Sequence, residues 1–477
     1  MAWYPRKFPD LPTRLGMELE TRMATIKRKL FGTDGVRGVA NVHPMTAEVA
    51  LALGQAIAHI FRGTGDGQHR ILIGKDTRLS GYMFEDALAA GISSMGVDVV
   101  HVGPMPTPAI AFLTADMRCD AGVMITASHN EFRDNGLKFF GSDGFKLADE
   151  IESELEELID SGRLGELRAD PDSLGQATRI DDAAGRYVVY LKNTFPRDLT
   201  LEGMRVVLDC ANGAAYQVGP TVLRELGANL TTLGVEPNGR NINQDCGSLH
   251  PEAVAELVRK QHAHIGLAVD GDSDRVMIVD EKGEVLDGDE VIALCARYLS
   301  EEGRLTGGGV VTTVMSYLGL EDALKSRGLE LIRANVGDRY VGEAMREGGY
   351  NLGGEQSGHV IFLDYGTTGD GLMTALQVLA ILAREGVSLS TLVSDFKRYP
   401  QSLVNIAVQK KQPLESLPGL QAALSEVEAK LGDQGRVLIR YSGTELKARV
   451  MVEGAQEEEV SDYANHLADV LKKELSD

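Results

Sequence analysis

From Lys27 onward the chain alternates between two hydrophobic periods. Short β-branched runs, ILIG (71–74), VDVVHVG (97–103) and AGVMITAS (121–128), read as strands. Between them SGYMFEDALAAGISSMG (80–96) predicts a helix closing at Gly96, the residue type that most readily ends one. The alternation returns in RVVLDC (205–210), LTTLGV (230–235) and HIGLAVD (264–270), then in GVVTTV (309–314), LELIRANVG (329–337) and HVIFLD (359–364). Strand–helix–strand repetition at this spacing predicts βαβ units and mixed, mainly parallel sheets, an α/β fold class. The final section departs from it. LVNIAVQ (403–409), RVLIRYSG (436–443) and ARVMVEG (448–454) surround one helix and precede another, which predicts a smaller α+β domain.

Length and charge refine this picture. A chain of 477 residues is expected to form three or four domains. With 48 Lys+Arg against 70 Asp+Glu the formal charge is −22. That balance excludes a nucleic-acid coat and an anionic membrane surface as partners, since both are held by clustered Lys and Arg. Taken at face value it would also repel an anionic substrate. The four cysteines, Cys119, Cys210, Cys246 and Cys295, are scattered without a CxxC pair, as expected of reduced thiols. The run Val99 to Ala115 is uncharged but holds Pro104, Pro106 and Pro108, and is too short for a bilayer helix of ~20 residues. A soluble, cytoplasmic protein is expected. Residues 1–26 carry three prolines and no signal-peptide core, and are expected to be a disordered extension. In 148–173, Ile151, Leu155, Leu158 and Ile159 form one helical stripe among ten acids, the pattern of a solvated surface helix.

Candidate chemistry lies in a few motifs. In VDGDSDRVMIVD (269–280), Asp270, Asp272 and Asp274 alternate, so in an extended loop their carboxylates share one side. Three hard oxygen ligands after an apolar strand suit Mg²⁺, although an Asp-rich turn has the same pattern. An EF-hand is excluded, because Arg275 stands where its loop needs Gly. In MITASHNEFRDNGLKFF (124–140), Ser128 follows an apolar strand, where loops of parallel sheets carry function, and Lys138 lies ten residues on. The G-x-S-x-G elbow is absent, so phosphoryl transfer fits better than acyl transfer. IRYSGTELKARV (439–450) offers Arg440, Ser442, Gly443 and Thr444 as a phosphate nest, with Arg449 as a second cation, or else a polar hairpin turn. GGEQSGHV (353–360) places Glu355, Ser357 and His359 at alternating positions on one face, suited to sugar hydroxyls and proton transfer, or a plain loop. KLFGTDGVRGVA (29–40) reads as a glycine-punctuated loop carrying Asp34 and Arg37. No Walker A or GxGxxG motif supports a kinase or dehydrogenase.

In this order the motifs resemble the α-D-phosphohexomutase superfamily over nearly the whole chain from Lys27. The resemblance is narrowest to its branch that interconverts glucosamine 6-phosphate and glucosamine 1-phosphate. It is carried by FGTDGVRG (31–38), GKDTRLSG (74–81), GPMPTP (103–108), TASHNEFRDNGLKFF (126–140), NVGDRYV (335–341), GGEQSGH (353–359) and RYSGTE (440–445). Two departures are Ser273, where Ala or Gly is usual, and Glu131, where Pro is frequent. The resemblance implies three related α/β domains, 27–180, 181–285 and 286–396, and a smaller C-terminal domain, 397–477, around a central cleft. Ser128 would be a phosphoserine, and one Mg²⁺ would sit on Asp270, Asp272, Asp274 and a phosphate oxygen of Ser128. Lys138, Arg37 and His359 would stabilise charge and move protons. Arg275, Glu355, Ser357, Arg440, Ser442, Gly443 and Thr444 would hold a sugar-phosphate substrate passing through a 1,6-bisphosphate. A monomer or homodimer is expected. A phosphomannomutase/phosphoglucomutase or, further off, a silent sugar-phosphate-binding relative are the alternatives. The net charge is then no obstacle: it is a whole-chain sum, and cations from distant segments would gather at one site.

Overall fold

The run Ala121–Ile125 is buried at every position, as a strand covered on both faces must be. It belongs to the first of four sheets in a computed structural model that describes residues 30–32, 34–62, 67–441 and 446–476. The extension expected over 1–26 lies outside these residues, as do Ser442, Gly443 and Thr444. The first sheet runs β1-β2-β6-β5-β3-β4-β7. Its strands are β1 (Phe31–Gly32), β2 (Gly35–Val39), β3 (Arg70–Lys75), β4 (Asp98–Pro104), β5 (Ala121–Ile125), β6 (Asp134–Gly141) and β7 (Ala177–Arg179). The second, in order β12-β11-β10-β8-β9, uses β8 (Arg205–Asp209), β9 (Asn229–Leu233), β10 (Ile265–Val269), β11 (Val276–Val279) and β12 (Val285–Leu286). The third is β14-β13-β15-β16, from β13 (Gly309–Thr313), β14 (Glu330–Ala334), β15 (Leu352–Gly354) and β16 (Val360–Phe362).

One unit recurs in all three. A first strand (β3, β8 or β13) pairs in parallel with a second on one side and a third on the other. A fourth strand then folds back antiparallel on the third, closing a hairpin: β5–β6, β10–β11 and β15–β16. Parallel neighbours need a crossover, and helices such as Gly81–Ser94 (β3 to β4) and Val218–Glu225 (β8 to β9) supply it. The predicted helix over 80–96 forms as 81–94, and Gly96 takes φ +82° just beyond it.

The three units share one apolar core, running from Leu72 and Met124 through Leu208 and Leu267 to Val310 and Leu352. Helix Gly371–Glu385, buried almost all round, packs against the second sheet. The fourth sheet, β17 (Gln401–Ala407), β19 (Lys447–Gly454) and β18 (Gly435–Tyr441), is antiparallel throughout and keeps a separate core with its two helices. Its seat on the third unit is largely polar. Arg436 donates to the carbonyls of Val314 (2.8 Å), Met315 (3.4 Å) and Ser316, and to Glu453 at 2.7 Å. Glu453 accepts the Leu318 N–H at 2.8 Å. Within the third unit itself Asp289 accepts the Tyr317 N–H at 2.7 Å.

Two sequence expectations change. KLFGTDGVRGVA is not a loop from end to end: Phe31–Gly32 and Gly35–Val39 pair as an antiparallel hairpin, and Arg37 lies on a strand paired with β6. The acidic helix, Asp149–Asp160, is not simply solvated. Glu152 and Glu156 are buried; Glu152 receives Arg339 from the third unit at 2.7 Å, and Glu156 accepts the N–H groups of Leu30 and Phe31, each at 2.8 Å. The apolar stripe locates the helix, but only long-range partners reveal which acids turn inward.

Candidate active site

The equivalent hairpin turns of the three units meet. The β5–β6 turn carries Ser128, the β10–β11 turn Asp270 to Arg275, and the β15–β16 turn Glu355 to His359. Ser128 Oγ donates to Asp270 Oδ2 at 2.5 Å. A Cβ on Gly271 would fall 2.6 Å from the Ser128 carbonyl, so only glycine lets these two turns approach so closely. The Val276 N–H reaches the Gly358 carbonyl at 3.2 Å, joining the second turn to the third.

The alternation of Asp270, Asp272 and Asp274 converges for a different reason from the one expected. The segment is a tight turn, not an extended loop, and Ser273 adopts φ +58°. Their oxygens lie within 4.8 Å of one another and all three residues are buried. Backbone N–H groups from three other segments fix the turn: Thr107 to Asp272 O (2.9 Å), Ala214 to Gly271 O (2.8 Å) and Gly371 to Ser273 O (2.9 Å). Thr107, from the GPMPTP motif, also donates its hydroxyl to Asp272 Oδ2 at 2.6 Å. Asp272 Oδ1 and Asp274 Oδ1 are buried with no hydrogen-bond partner among the described residues. Hard, unsatisfied oxygens so close together fit a divalent cation. Burial, and then the charges of Asp272 and Asp274, push Asp270 well above the ordinary carboxylate range.

Lys138, on β6, is buried among carboxylates, with Nζ 2.9 Å from Asp272, 3.0 Å from Asp274 and 3.3 Å from Asp34. Burial opposes its charge, but the aspartates prevail and raise its pKa well above the usual value. For Asp274 too, burial is outweighed by Lys138, His359 and Arg275, which hold it well below its ordinary range. Arg37 donates to Asp34 at 3.2 Å. Lys146 bonds both Asp34 and, at 2.5 Å, Asp338 of the NVGDRYV motif, tying the first unit to the third. His129 is driven down to about 4 by burial and by Arg275 and Arg37, so it stays neutral 3.2 Å from the Arg275 guanidinium.

His359 is buried, with Nδ1 3.7 Å from Asp274 and Nε2 3.4 Å from Asp338. Burial disfavours its charge, yet the two carboxylates prevail and raise its pKa. Glu355, Ser357 and His359 do not share one face of a strand. They lie in and just after a turn, with Glu355 and Ser357 half-buried and bonded to each other at 3.2 Å. The structure thus gathers Ser128, Lys138, Arg37, Asp270, Asp272, Asp274, Arg275, His359 and Glu355. Arg440 stands apart on β18, directly across from Arg449 on β19. Burial, then Arg449, lowers the Arg440 pKa, and Arg449 Nε is buried without a hydrogen-bond partner among the described residues. Like charges placed directly opposite each other on a sheet repel. Sequence reading assigned no role to Thr107, Lys146 or Asp338; each sits in a glycine-flanked segment beside a strand end, the one signal available.

A serine hydroxyl on a carboxylate triad, carried by three repeated α/β units, defines a phosphohexomutase. The chain belongs to the phosphoglucomutase/phosphomannomutase family: profiles of its α/β/α domains I, II and III match residues 28–166, 185–283 and 287–399, and that of its C-terminal domain matches 403–470. It is an enzyme of the isomerase class. Among its relatives the phosphoglucosamine mutase of Syntrophotalea carbinolica is 57% identical over 450 residues, 94% of this chain and 98% of that one. A phosphoglucomutase/phosphomannomutase family protein from Burkholderia thailandensis is 26% identical with TM-score 0.76, covering 93% of this chain and 97% of that one. The fold is shared by an N-acetylphosphoglucosamine mutase from Aspergillus fumigatus solved with GlcNAc-6P and magnesium, at 19% identity, TM-score 0.64, and 94% and 96% coverage. No helix among the described residues is long and apolar enough to cross a membrane.

Proposed function

We propose that this enzyme interconverts glucosamine 6-phosphate and glucosamine 1-phosphate through a phosphoserine and a 1,6-bisphosphate. The observation that carries the reading is the Ser128 hydroxyl set 2.5 Å from Asp270 within the aspartate cluster, beside Lys138. Phosphorylated Ser128 passes its phosphoryl group to the free hydroxyl of the sugar phosphate. The bisphosphate turns over, and its other phosphate returns to Ser128. Asp270, Asp272, Asp274 and a phosphate oxygen on Ser128 would hold Mg²⁺, which, when bound, neutralises charge on the phosphoryl oxygens. Lys138 and Arg37 stabilise the charge developing there, and His359, with its raised pKa, serves proton transfer. Glu355 and Ser357 hold sugar hydroxyls, and Arg275 lies beside both turns. Arg440, with Ser442, Gly443 and Thr444, grips the phosphate that is not reacting. Domain boundaries at 180/181, 285/286 and 396/397, a cytoplasmic location, and a monomer or homodimer complete the reading.

The test is a comparison of glucosamine, mannose and glucose 6-phosphates as substrates, with Mg²⁺ and with chelator, alongside intact-mass measurement. A preference for glucosamine 6-phosphate, loss of turnover with chelator, and a phosphorylated form absent from Ser128→Ala support it. A clear preference for the mannose compound transfers the enzyme to the phosphomannomutase/phosphoglucomutase reading. Full turnover by Ser128→Ala overturns the mechanism.

A further inference from the structure

Ser128 has φ +51°, in the left-handed region that a non-glycine residue occupies only when its surroundings impose it. The side chain of Arg78, which is wholly buried, spans this turn. Its Nη2 donates to the Ser128 carbonyl at 2.9 Å and to the Asn130 carbonyl at 2.8 Å. Its Nη1 donates to the carbonyls of Glu131 and, at 3.1 Å, Asp134. One guanidinium thus spans the whole turn that bears the serine. Nε is fixed by Asp76 at 2.8 Å, and the same Asp76 oxygen accepts the Thr126 hydroxyl at 2.7 Å. Thr126 Oγ1 in turn accepts the Ser128 N–H at 2.9 Å. The peptide groups on both sides of Ser128 are therefore held by one Asp76–Arg78 pair. From the second unit Asn243 donates to the same two carbonyls, Ser128 at 2.8 Å and Asn130 at 2.9 Å.

We infer that Arg78, opposed by Asn243, is the positioning residue of the phosphoryl-accepting serine: it holds Ser128 left-handed so that Oγ faces Asp270. Neither residue touches the sugar-binding turn at Glu355 or the arginines of the fourth sheet in any described contact. Their contribution belongs to the transfer step and not to substrate binding. A lysine cannot replace Arg78, because three donors on a point charge cannot reach four carbonyls in the plane of a fixed fork. GKDTRLSG, which the reaction itself left without a task, gains one.

The inference rests on Ser128 being the phosphoryl acceptor, and the experiment separates the two. Arg78→Lys and Asn243→Ala are made in the full chain and checked for folding by circular dichroism. Steady-state kcat and KM are then measured with glucosamine 6-phosphate, and the rate of Ser128 phosphorylation by glucose 1,6-bisphosphate is followed by intact mass. Arg78→Lys should lower kcat and the phosphorylation rate together by about 10- to 100-fold, with KM within about twofold. Asn243→Ala should lower kcat by about 3- to 10-fold with the same unchanged KM. An Arg78→Lys enzyme that phosphorylates at the parent rate, or whose loss lies in KM, overturns the inference. If that variant does not fold, Asn243→Ala decides, and parental kcat there overturns it. A parent that never carries phosphate on Ser128 and an active Ser128→Ala variant would instead defeat the reading of the serine itself.

Discussion

Asp289 stands at the start of helix Gly288–Glu301 with no solvent exposure. One carboxylate oxygen accepts the Tyr317 N–H at 2.7 Å, and the other has no hydrogen-bond partner among the described residues. Burial, and then the neighbouring charge of Asp287, pushes its pKa up from 3.8 to about 7. At about 1.4 kcal/mol per unit, ionising it inside the fold costs about 4 kcal/mol net. A raised carboxylate pKa means that the folded protein keeps a proton which the unfolded chain releases. The cost is therefore absent below about pH 4, grows as pH rises, and is complete above about pH 7. Asn keeps the shape and the acceptor for Tyr317, removes the charge, and offers an NH₂ to the neighbouring Ser316 hydroxyl. Urea unfolding of the parent and Asp289→Asn at about pH 5.5 and pH 8, followed by far-ultraviolet circular dichroism, measures the difference. The advantage of the variant should grow by about 2 kcal/mol between the two conditions. Parallel behaviour, with the same difference at both pH values, would refute the argument that Asp289 is forced to ionise in a dry site.

Lys138→Met removes the cation nearest to Asp272 and Asp274 and should cost about 3–5 kcal/mol; added Mg²⁺ should raise its melting temperature more than the parent's, and equal shifts would count against the shared neutralisation. In Gly35, φ is +76° and a Cβ would lie 2.0 Å from the Leu137 carbonyl. Gly35→Ala should lower stability by about 2–4 kcal/mol in thermal unfolding, because the start of β2 must move away from β6 to admit it. Arg436→Ala strips the Val314–Ser316 carbonyls and strands the buried Glu453, a loss of about 3 kcal/mol that limited proteolysis between residues 393 and 400 should report as faster cleavage.

The strands were legible because their apolar runs are continuous. RVVLDC, HIGLAVD and GVVTTV each hold a strand within a residue of the range read, since burial on both faces leaves no ambiguity of period. The serine and the three aspartates were legible as residue types, but not the geometry that joins them. Alternation suggested an extended segment, whereas Ser273 at φ +58° folds the aspartates inward by a turn. Arg78 shows the limit more sharply. An arginine between Thr77 and Leu79 reads as surface, and its burial comes from acceptors 50 to 56 residues further along the chain. Glu152 was hidden for the same reason, its partner Arg339 being 187 residues away. Local pattern encodes what a segment buries; charged groups turn inward only where another segment pays for it.

The three hairpin turns have a consequence for how such a protein can change. Each copy of the unit sets different groups at the same address: the Ser128 hydroxyl, the carboxylates of Asp270 to Asp274, or the Glu355–Ser357 pair. No copy holds two. On the reading proposed above, divergence could proceed one turn at a time, with Ser128 and the aspartates kept while Glu355 and Ser357 are re-tuned for a new sugar. A change confined to Glu355 and Ser357 leaves Ser128 and Asp270 in place, because those belong to other copies of the same blueprint, whereas a change at His359 reaches Asp274 at 3.7 Å.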